Sequence, residues 1–173
     1  MTSQIKTITR YAKDRGITII PEIDLPAHSY SWRKAFPGII VECPTTATTK
    51  KVRVVEDVYV LDPSYPQLDK ILRSVFRQIH AMFDIGSKDY SGSSGGGGSG
   101  IGGDGSGSGS STQYIHIGAD EVLLDCWSES PSVLQWMQTQ GYNTTLQVLQ
   151  HLQHTILHLN KVVTSRIPIV WQG

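Results

Sequence analysis

Residues 113–122 read QYIHIGADEV. Tyr114, Ile115 and Ile117 form a short apolar run that stops at Gly118, and two carboxylates, Asp120 and Glu121, then stand side by side. A brief β-branched run bounded by glycine reads as a buried strand. Adjacent anions repel, and burial raises the cost. The pair is therefore either a solvated turn or a site that needs two carboxylates in different protonation states.

Two further stretches share the pattern of that strand. ITIIPE (17–22) is almost wholly apolar, as a parallel strand buried on both faces reads, and IPIVWQ (167–172) is its counterpart near the end of the chain. Helical spacing separates them. Residues 3–15 put Ile5, Ile8, Tyr11 and Ala12 on one face, with Gly16 as a stop. Residues 66–83 carry Leu68, Ile71, Leu72, Val75, Phe76, Ile79 and Phe83 at helical intervals. Two more helices are expected over 131–140, opening on Pro131, and over 144–163, entered at Asn143 or Thr144. Residues 23–64, rich in Pro, Thr and Tyr, read as irregular. The order α-β-α-β-α-α-β predicts an α/β fold with a parallel sheet and right-handed crossovers.

Residues 91–111 interrupt this order, with nineteen of the 21 positions Gly or Ser. Such a segment cannot bury enough apolar area to offset its ordering entropy and is expected to be a flexible insert. Its glycines lack the preceding strand, the following helix and the Lys-Ser/Thr signature of a phosphate loop. Three strands also leave two open sheet edges, which points to a chain that is a piece of something larger.

The 173 residues carry a formal net charge of +0 and are 39% hydrophobic, enough for one modest domain. Neutral balance gives no reason to expect nucleic acid or an anionic membrane as partner. No run of 18 apolar residues suggests a membrane span, and the amphipathic N-terminus does not read as a signal peptide. The two cysteines, Cys43 and Cys126, allow at most one disulfide, and composition leaves open whether they pair.

Candidate functional residues gather where strands end: Glu22, Asp24 and His28 after the first, Asp120 and Glu121 after the second, Trp171 at the third. Sites of parallel α/β folds form at those C-terminal ends. A metal reading through His116, Asp120 and Glu121 lacks a second histidine cluster to complete a three-ligand set. A core histidine is the better reading of His116.

YAKDRGITIIPEIDLPAHSYSW, YIHIGADEV, CWSESPSVLQWMQTQG and IVWQG together resemble glycoside hydrolase family 20, the β-N-acetylhexosaminidases, and within it the eukaryotic lysosomal or secreted type. The resemblance covers nearly the whole chain outside the Gly/Ser insert. It implies a fragment of a (β/α)8 TIM barrel, from the helix before strand 3 through strand 5. It also implies hydrolysis of terminal N-acetyl-β-D-hexosamine residues by a retaining, substrate-assisted route, in which the sugar's own 2-acetamido oxygen attacks the anomeric carbon. By resemblance Glu121 is the acid/base, Asp120 orients the acetamido group and stabilises its developing charge, and His28 contacts Glu121. Trp171 walls the acetamido pocket, while Asp24 and Glu22 support the substrate site. The implied partner is an N-acetylhexosaminide of a glycan, glycolipid or chitin oligosaccharide. No cofactor or metal is implied, and the parent protein is expected to be a homodimer.

Adjacency of the two acids fits this route. Ordinary retaining glycosidases need carboxylates about 5–5.5 Å apart across the scissile bond, whereas chain neighbours point in different directions. The Asp charge is further expected to raise the pKa of the Glu toward that of a useful acid. The cysteines match a pair in the eukaryotic enzymes, implying a Cys43–Cys126 disulfide. With the sequon Asn143-Thr144-Thr145 this suggests a lysosomal or secreted parent. Two departures stand out. The family's usual Gly-Gly before Asp-Glu is Gly118-Ala119 here, a methyl near the site that is either tolerated or crowds the pocket. The strand 1 arginine and the aromatic and acidic residues of strands 6 to 8 have no counterpart in this chain. A non-catalytic truncated product or sugar-binding remnant is therefore the competing reading.

Overall fold

The computed structural model describes residues 2–41, 59–84 and 113–171. Its elements run α1 (Thr2–Lys13), a 3₁₀ turn (Tyr30–Lys34), α2 (Leu68–Phe83), β1 (Tyr114–His116), α3 (Leu124–Ser128), α4 (Pro131–Gln140), α5 (Thr145–Thr164) and β2 (Ile167–Ile169). The Gly/Ser segment 91–111 and Cys43 lie outside the described residues.

β1 and β2 pair in parallel, His116 opposite Ile169. The ladder continues past the strands through Ile117 N–H to the Ile169 carbonyl (2.8 Å) and Trp171 N–H to the Gly118 carbonyl (2.9 Å). The expected strand at 17–22 is displaced toward the C-terminus. Only Glu22 bridges to His116, again in parallel. His116 N–H donates to the Pro21 carbonyl, while Ile23 and Leu25 N–H groups donate to the His116 and Ile117 carbonyls. The pairing segment is thus 21–25, with β1 in the middle. Ile17 and Ile20 are exposed, contrary to the expectation of a strand buried on both faces. Among the described residues nothing pairs on their far side.

The helices form one layer against the sheet. α2 and α5 pack on each other, with α1 against α2 and the short α3 against α5. Ile115 and Ile117 of the β1 region, Leu72 and Phe76 of α2, Leu152 and Ile156 of α5, and Trp127 of α3 are almost fully buried in the shared core. α1 departs from expectation. Thr9 and Ala12 are its buried positions, whereas Ile8 and Tyr11 are exposed and Tyr11 instead carries the Arg15 guanidinium on its ring (3.4 Å). The face seated on α2 is one step around the helix from the apolar stripe.

Helix ends follow their local chemistry. Gly16 (φ 70°) closes α1, with its N–H on the Lys13 carbonyl and Ile17 N–H on the Ala12 carbonyl. That is the paired closure a left-handed residue allows. Thr144 opens α5 with a capping box: its hydroxyl accepts from Gln147 N–H, and the Gln147 side chain accepts from the Thr144 N–H. Asp62 ties the loop before α2 to α4, accepting from Ser64 and from the Ser132 hydroxyl (3.0 Å). Beside it the Trp127 indole donates to the Leu61 carbonyl (3.0 Å). These links fix the loop carrying His28, because Leu61 N–H donates to the Pro26 carbonyl.

Candidate active site

The three parallel segments end together, and the polar residues expected there meet. His28 Nε2 lies 3.5 Å from Glu121 Oε2 and 3.9 Å from Asp120 Oδ1. Glu121 is 65% exposed at its side chain while Asp120 is 34% exposed, so the neighbouring acids occupy different surroundings. The backbone makes that divergence possible. Gly118, Ala119, Glu121 and His28 all have positive φ, at 74°, 72°, 51° and 54°. A left-handed residue other than glycine costs roughly 1–2 kcal/mol, and such strain gathers at functional sites. Three strained non-glycine residues within one small site are held by the ladder beneath them.

Asp24 sits under this turn. Its Oδ1 and the Asp120 Oδ1 are buried oxygens without a hydrogen-bond donor among the described residues. Burial pushes the Asp24 carboxyl above its ordinary value; the Glu22 charge adds to the rise, His28 opposes it, Asp120 adds, and His116 opposes. A carboxyl with like charges around it and no donor favours its protonated form.

The second cluster joins Glu22, His116 and Trp171. The Trp171 indole N–H donates to Glu22 Oε1 (3.2 Å). His116 Nδ1 accepts the Gly118 N–H (3.1 Å) and lies 3.3 Å from the same Glu22 oxygen. Its ring packs on the Trp171 ring, centroids 4.5 Å apart and tilted 54°. An acceptor nitrogen places the imidazole hydrogen on Nε2; a proton on Nδ1, which an ion pair with Glu22 requires, would break the Gly118 bond.

A pocket of about 180 Å³ opens beside Trp171, lined by Leu25, Ile117, Ala119, Ile156 and Val170 among others. The Ala119 methyl therefore borders open volume. At φ 72° Ala119 also holds a backbone conformation that glycine adopts without strain.

The six side chains expected at the site, Glu22, Asp24, His28, Asp120, Glu121 and Trp171, thus fall into two touching clusters. His116, read from sequence as a core histidine, is buried and also contacts two of them. The signal available for it was strand alternation, which sets His116, like Trp171, on the sheet face opposite Ile115 and Ile117. Cys126 is fully buried and is not a free thiol. Among the described residues no group of three or more His, Cys, Asp or Glu is placed to hold a metal ion.

Known proteins share this arrangement of sequence and fold. The beta-hexosaminidase subunit beta of Entamoeba histolytica is 27% identical over 173 residues, covering 98% of this chain and 26% of its own length. The beta-hexosaminidase subunit beta of Rattus norvegicus is 26% identical over 172 residues, with coverage of 98% and 26%. The chain thus spans about a quarter of the length of these curated relatives. The solved GH20 exo beta-N-acetylglucosaminidase from Vibrio harveyi in complex with N-acetylglucosamine matches with a TM-score of 0.69 at 25% identity, covering 99% of this chain and 22% of that one. The family profile described as glycosyl hydrolase family 20, catalytic domain, matches residues 1–173, and the chain belongs to that family.

Proposed function

We propose that this sequence serves the removal of terminal, non-reducing N-acetyl-β-D-hexosamine residues from glycoconjugates. The observation that carries the proposal is the meeting of His28 with both acids of the adjacent pair, 3.5 Å from Glu121 and 3.9 Å from Asp120. In this reading Glu121 protonates the leaving oxygen and later takes a proton from water. Asp120 holds the acetamido N–H and balances the charge that develops as the acetamido oxygen closes on the anomeric carbon. The Asp120 side chain is 34% exposed, which leaves part of its carboxylate open to such an N–H. His28 sets the orientation of Glu121. Trp171 walls the acetamido pocket, with Asp24 and Glu22 in supporting positions. No cofactor takes part.

The same reading makes the fold a portion of a (β/α)8 barrel, strands 3 to 5, carrying residues 91–111 as a Gly/Ser insert. It makes Cys43 the partner of Cys126 and the parent a lysosomal or secreted homodimer. Asn143 is exposed just before α5, which suits a glycosylated sequon. Among the described residues no helix is long and apolar enough to cross a membrane.

The test is Glu121→Gln in a full-length parent. Hydrolysis should slow about 10²–10⁴-fold, and less for substrates whose leaving group is strongly acidic. Unchanged rates on every substrate would remove Glu121 from the role. The 65% exposure of Glu121 favours a second reading for the chain by itself, a sugar-contacting remnant without turnover.

A further inference from the structure

We infer that Glu22 and His116 are positioning residues that lock the orientation of Trp171, and that neither needs to touch the sugar. The inference rests on the reading of Trp171 as a substrate-facing wall and assigns what fixes that wall.

Trp171 stands near the end of the described chain, on the edge of the three-segment sheet, and is 53% exposed. An exposed indole on a strand end is ordinarily free to change its side-chain rotamer. Here two groups from two other segments restrain it. The Glu22 carboxylate takes the indole N–H at 3.2 Å, and the His116 ring backs the indole at 4.5 Å. Neither restraint is accidental in register. Glu22 and His116 are bridged backbone partners in the parallel ladder. The Trp171 N–H is bonded to the carbonyl of Gly118, two residues beyond His116. The three side chains therefore lie on one face, as residues two apart on paired strands do.

His116 is itself held. Its Nδ1 receives the Gly118 N–H at 3.1 Å, so its ring is tied to the first residue of the strained turn that carries Asp120 and Glu121. Glu22 is half-exposed and its carboxylate could turn to water, yet it faces both the indole N–H and His116 Nδ1. The consequence is a mechanical link. The indole plane, the imidazole and the acid-bearing turn keep a fixed mutual orientation, which is what a wall for a flat acetamido group requires. Glu22 acts through a hydrogen bond and His116 through ring packing, so their conservative replacements should behave differently.

The experiment reads the tryptophan indole ¹⁵N–¹H resonances of the 173-residue chain without sugar. The chain has four tryptophans, and Trp171→Phe assigns the one of interest. The Trp127 indole, buried and bonded to the Leu61 carbonyl, reports whether each variant keeps its fold. Glu22→Ala should displace the Trp171 resonance toward that of a free indole while Trp127 stays in place. Glu22→Gln, which keeps a carbonyl oxygen at Oε1, should restore it. His116→Leu should remove the ring-current shift on the Trp171 side chain without disturbing Trp127. In the unaltered chain, the Trp171 indole proton should exchange with solvent at least about 10-fold more slowly than in a free tryptophan peptide, the protection a formed hydrogen bond confers. An indole that exchanges at the free rate, or a Glu22→Ala resonance equal to that of the unaltered chain, overturns the proposal. The variant-free exchange measurement decides the matter even where a substitution unfolds the chain. Failure of the glycosidase reading looks different: the Trp171 bracket would stand, and Trp171→Phe in a full-length parent would leave affinity for N-acetylglucosamine unchanged.

Discussion

Asp24 occupies the space in which a side chain on Gly118 would begin. A Cβ built on Gly118 would lie 1.6 Å from Asp24 Oδ1 and 2.7 Å from its Cγ, and Gly118 also has a φ of 74°. Two independent demands meet there, a left-handed backbone and the approach of a carboxyl group from another segment. Asp24 is thereby held beneath the turn that presents Asp120 and Glu121.

Gly118→Ala and Ala119→Gly should consequently act in opposite directions. The first adds an overpacking cost to a backbone cost and should destabilise the chain by about 2–5 kcal/mol. The second relieves a residue held at φ 72° whose methyl borders a pocket. Relief of about 1–2 kcal/mol is offset by the greater chain entropy of glycine, about 0.5–1 kcal/mol. A net gain of about 0–1.5 kcal/mol is expected. Urea midpoints of the two variants against the parent chain check both signs. An Ala119→Gly variant less stable than the parent would show that the methyl packs productively.

Asp24→Asn should stabilise the chain, and more so as pH rises. Burial, Glu22 and Asp120 lift the Asp24 carboxyl above its ordinary value against the opposing pull of His28 and His116. The folded state therefore binds a proton that the unfolded state has released between the ordinary value and the raised one. Stability falls with pH across that window and stays reduced above it. The amide has no charge to release, so its advantage should be absent below pH 3.8, grow through the window and then level off. The check is the difference in melting temperature between Asp24→Asn and the unaltered chain, taken across acid to neutral pH. A difference that shrinks as pH rises would show that the carboxylate is stabilised in place. A gain in stability here should accompany a loss of function in the full-length parent, the usual exchange at a strained site.

Cys126 and Cys43 should be recovered as one disulfide-linked peptide pair from protein made in an oxidising compartment. Cys126 is fully buried and not a free thiol. It lies on α3, directly after the acid-bearing turn. The link would contribute about 2–4 kcal/mol by restricting the unfolded chain. Non-reducing peptide mapping decides it, and two freely alkylated thiols would defeat the assignment.

Four of the five described helices and the two described strands were legible because periodicity is a local property, whereas α3, five residues long, is too short to show one. Leu68, Ile71, Leu72, Phe76 and Ile79 announce the buried face of α2, and all five are buried. Pro131 and Thr144 at helix entries and Gly16 at an exit mark those ends to within a residue or two. The first strand was misplaced because an apolar run shows where a strand can form, and a neighbour decides which part of it pairs. β1 offers partners to 21–25 and none to Ile17. The stripe on α1 misled for a related reason, since Ile8 and Tyr11 are apolar without cover among the described residues. At the site, the residue types at strand ends were readable, and the contact of His28 with Glu121 came from the family resemblance, while the cluster of Glu22, His116 and Trp171 was not readable. Left-handed backbone at Ala119 and Glu121 has no signature in those residues, because neither favours it, and His28 is of a type enriched there. The contact between Gly118 and Asp24 joins distant parts of the sequence, and spacing rules do not reach that far. The role of His116 was obscured by its burial, which a core histidine shares.

The 173-residue chain by itself should not turn over N-acetylhexosaminides. The acid catalysis proposed for Glu121 would need water excluded and the sugar gripped, yet the Glu121 side chain is 65% exposed and Trp171 is 53% exposed. Loose placement of the acetamido group alone can cost about 10²-fold. Among the described residues nothing covers the sheet edges. Ile17 and Ile20 are exposed on one side, and Ile167, Val170 and Trp171 on the other, an apolar surface that favours edge-to-edge association over sugar capture. Closure into a barrel takes eight parallel strands, and among the described residues three segments pair in parallel. Purified chain assayed on a chromogenic N-acetylglucosaminide, with its Glu121→Gln form as the control for contaminating enzyme, should show no difference between the two. The same preparations should shift toward larger species in size-exclusion chromatography as concentration rises. Turnover near one per second, an ordinary enzymatic rate, that disappears in the Glu121→Gln control would falsify this prediction and show that three strands suffice to hold the sugar.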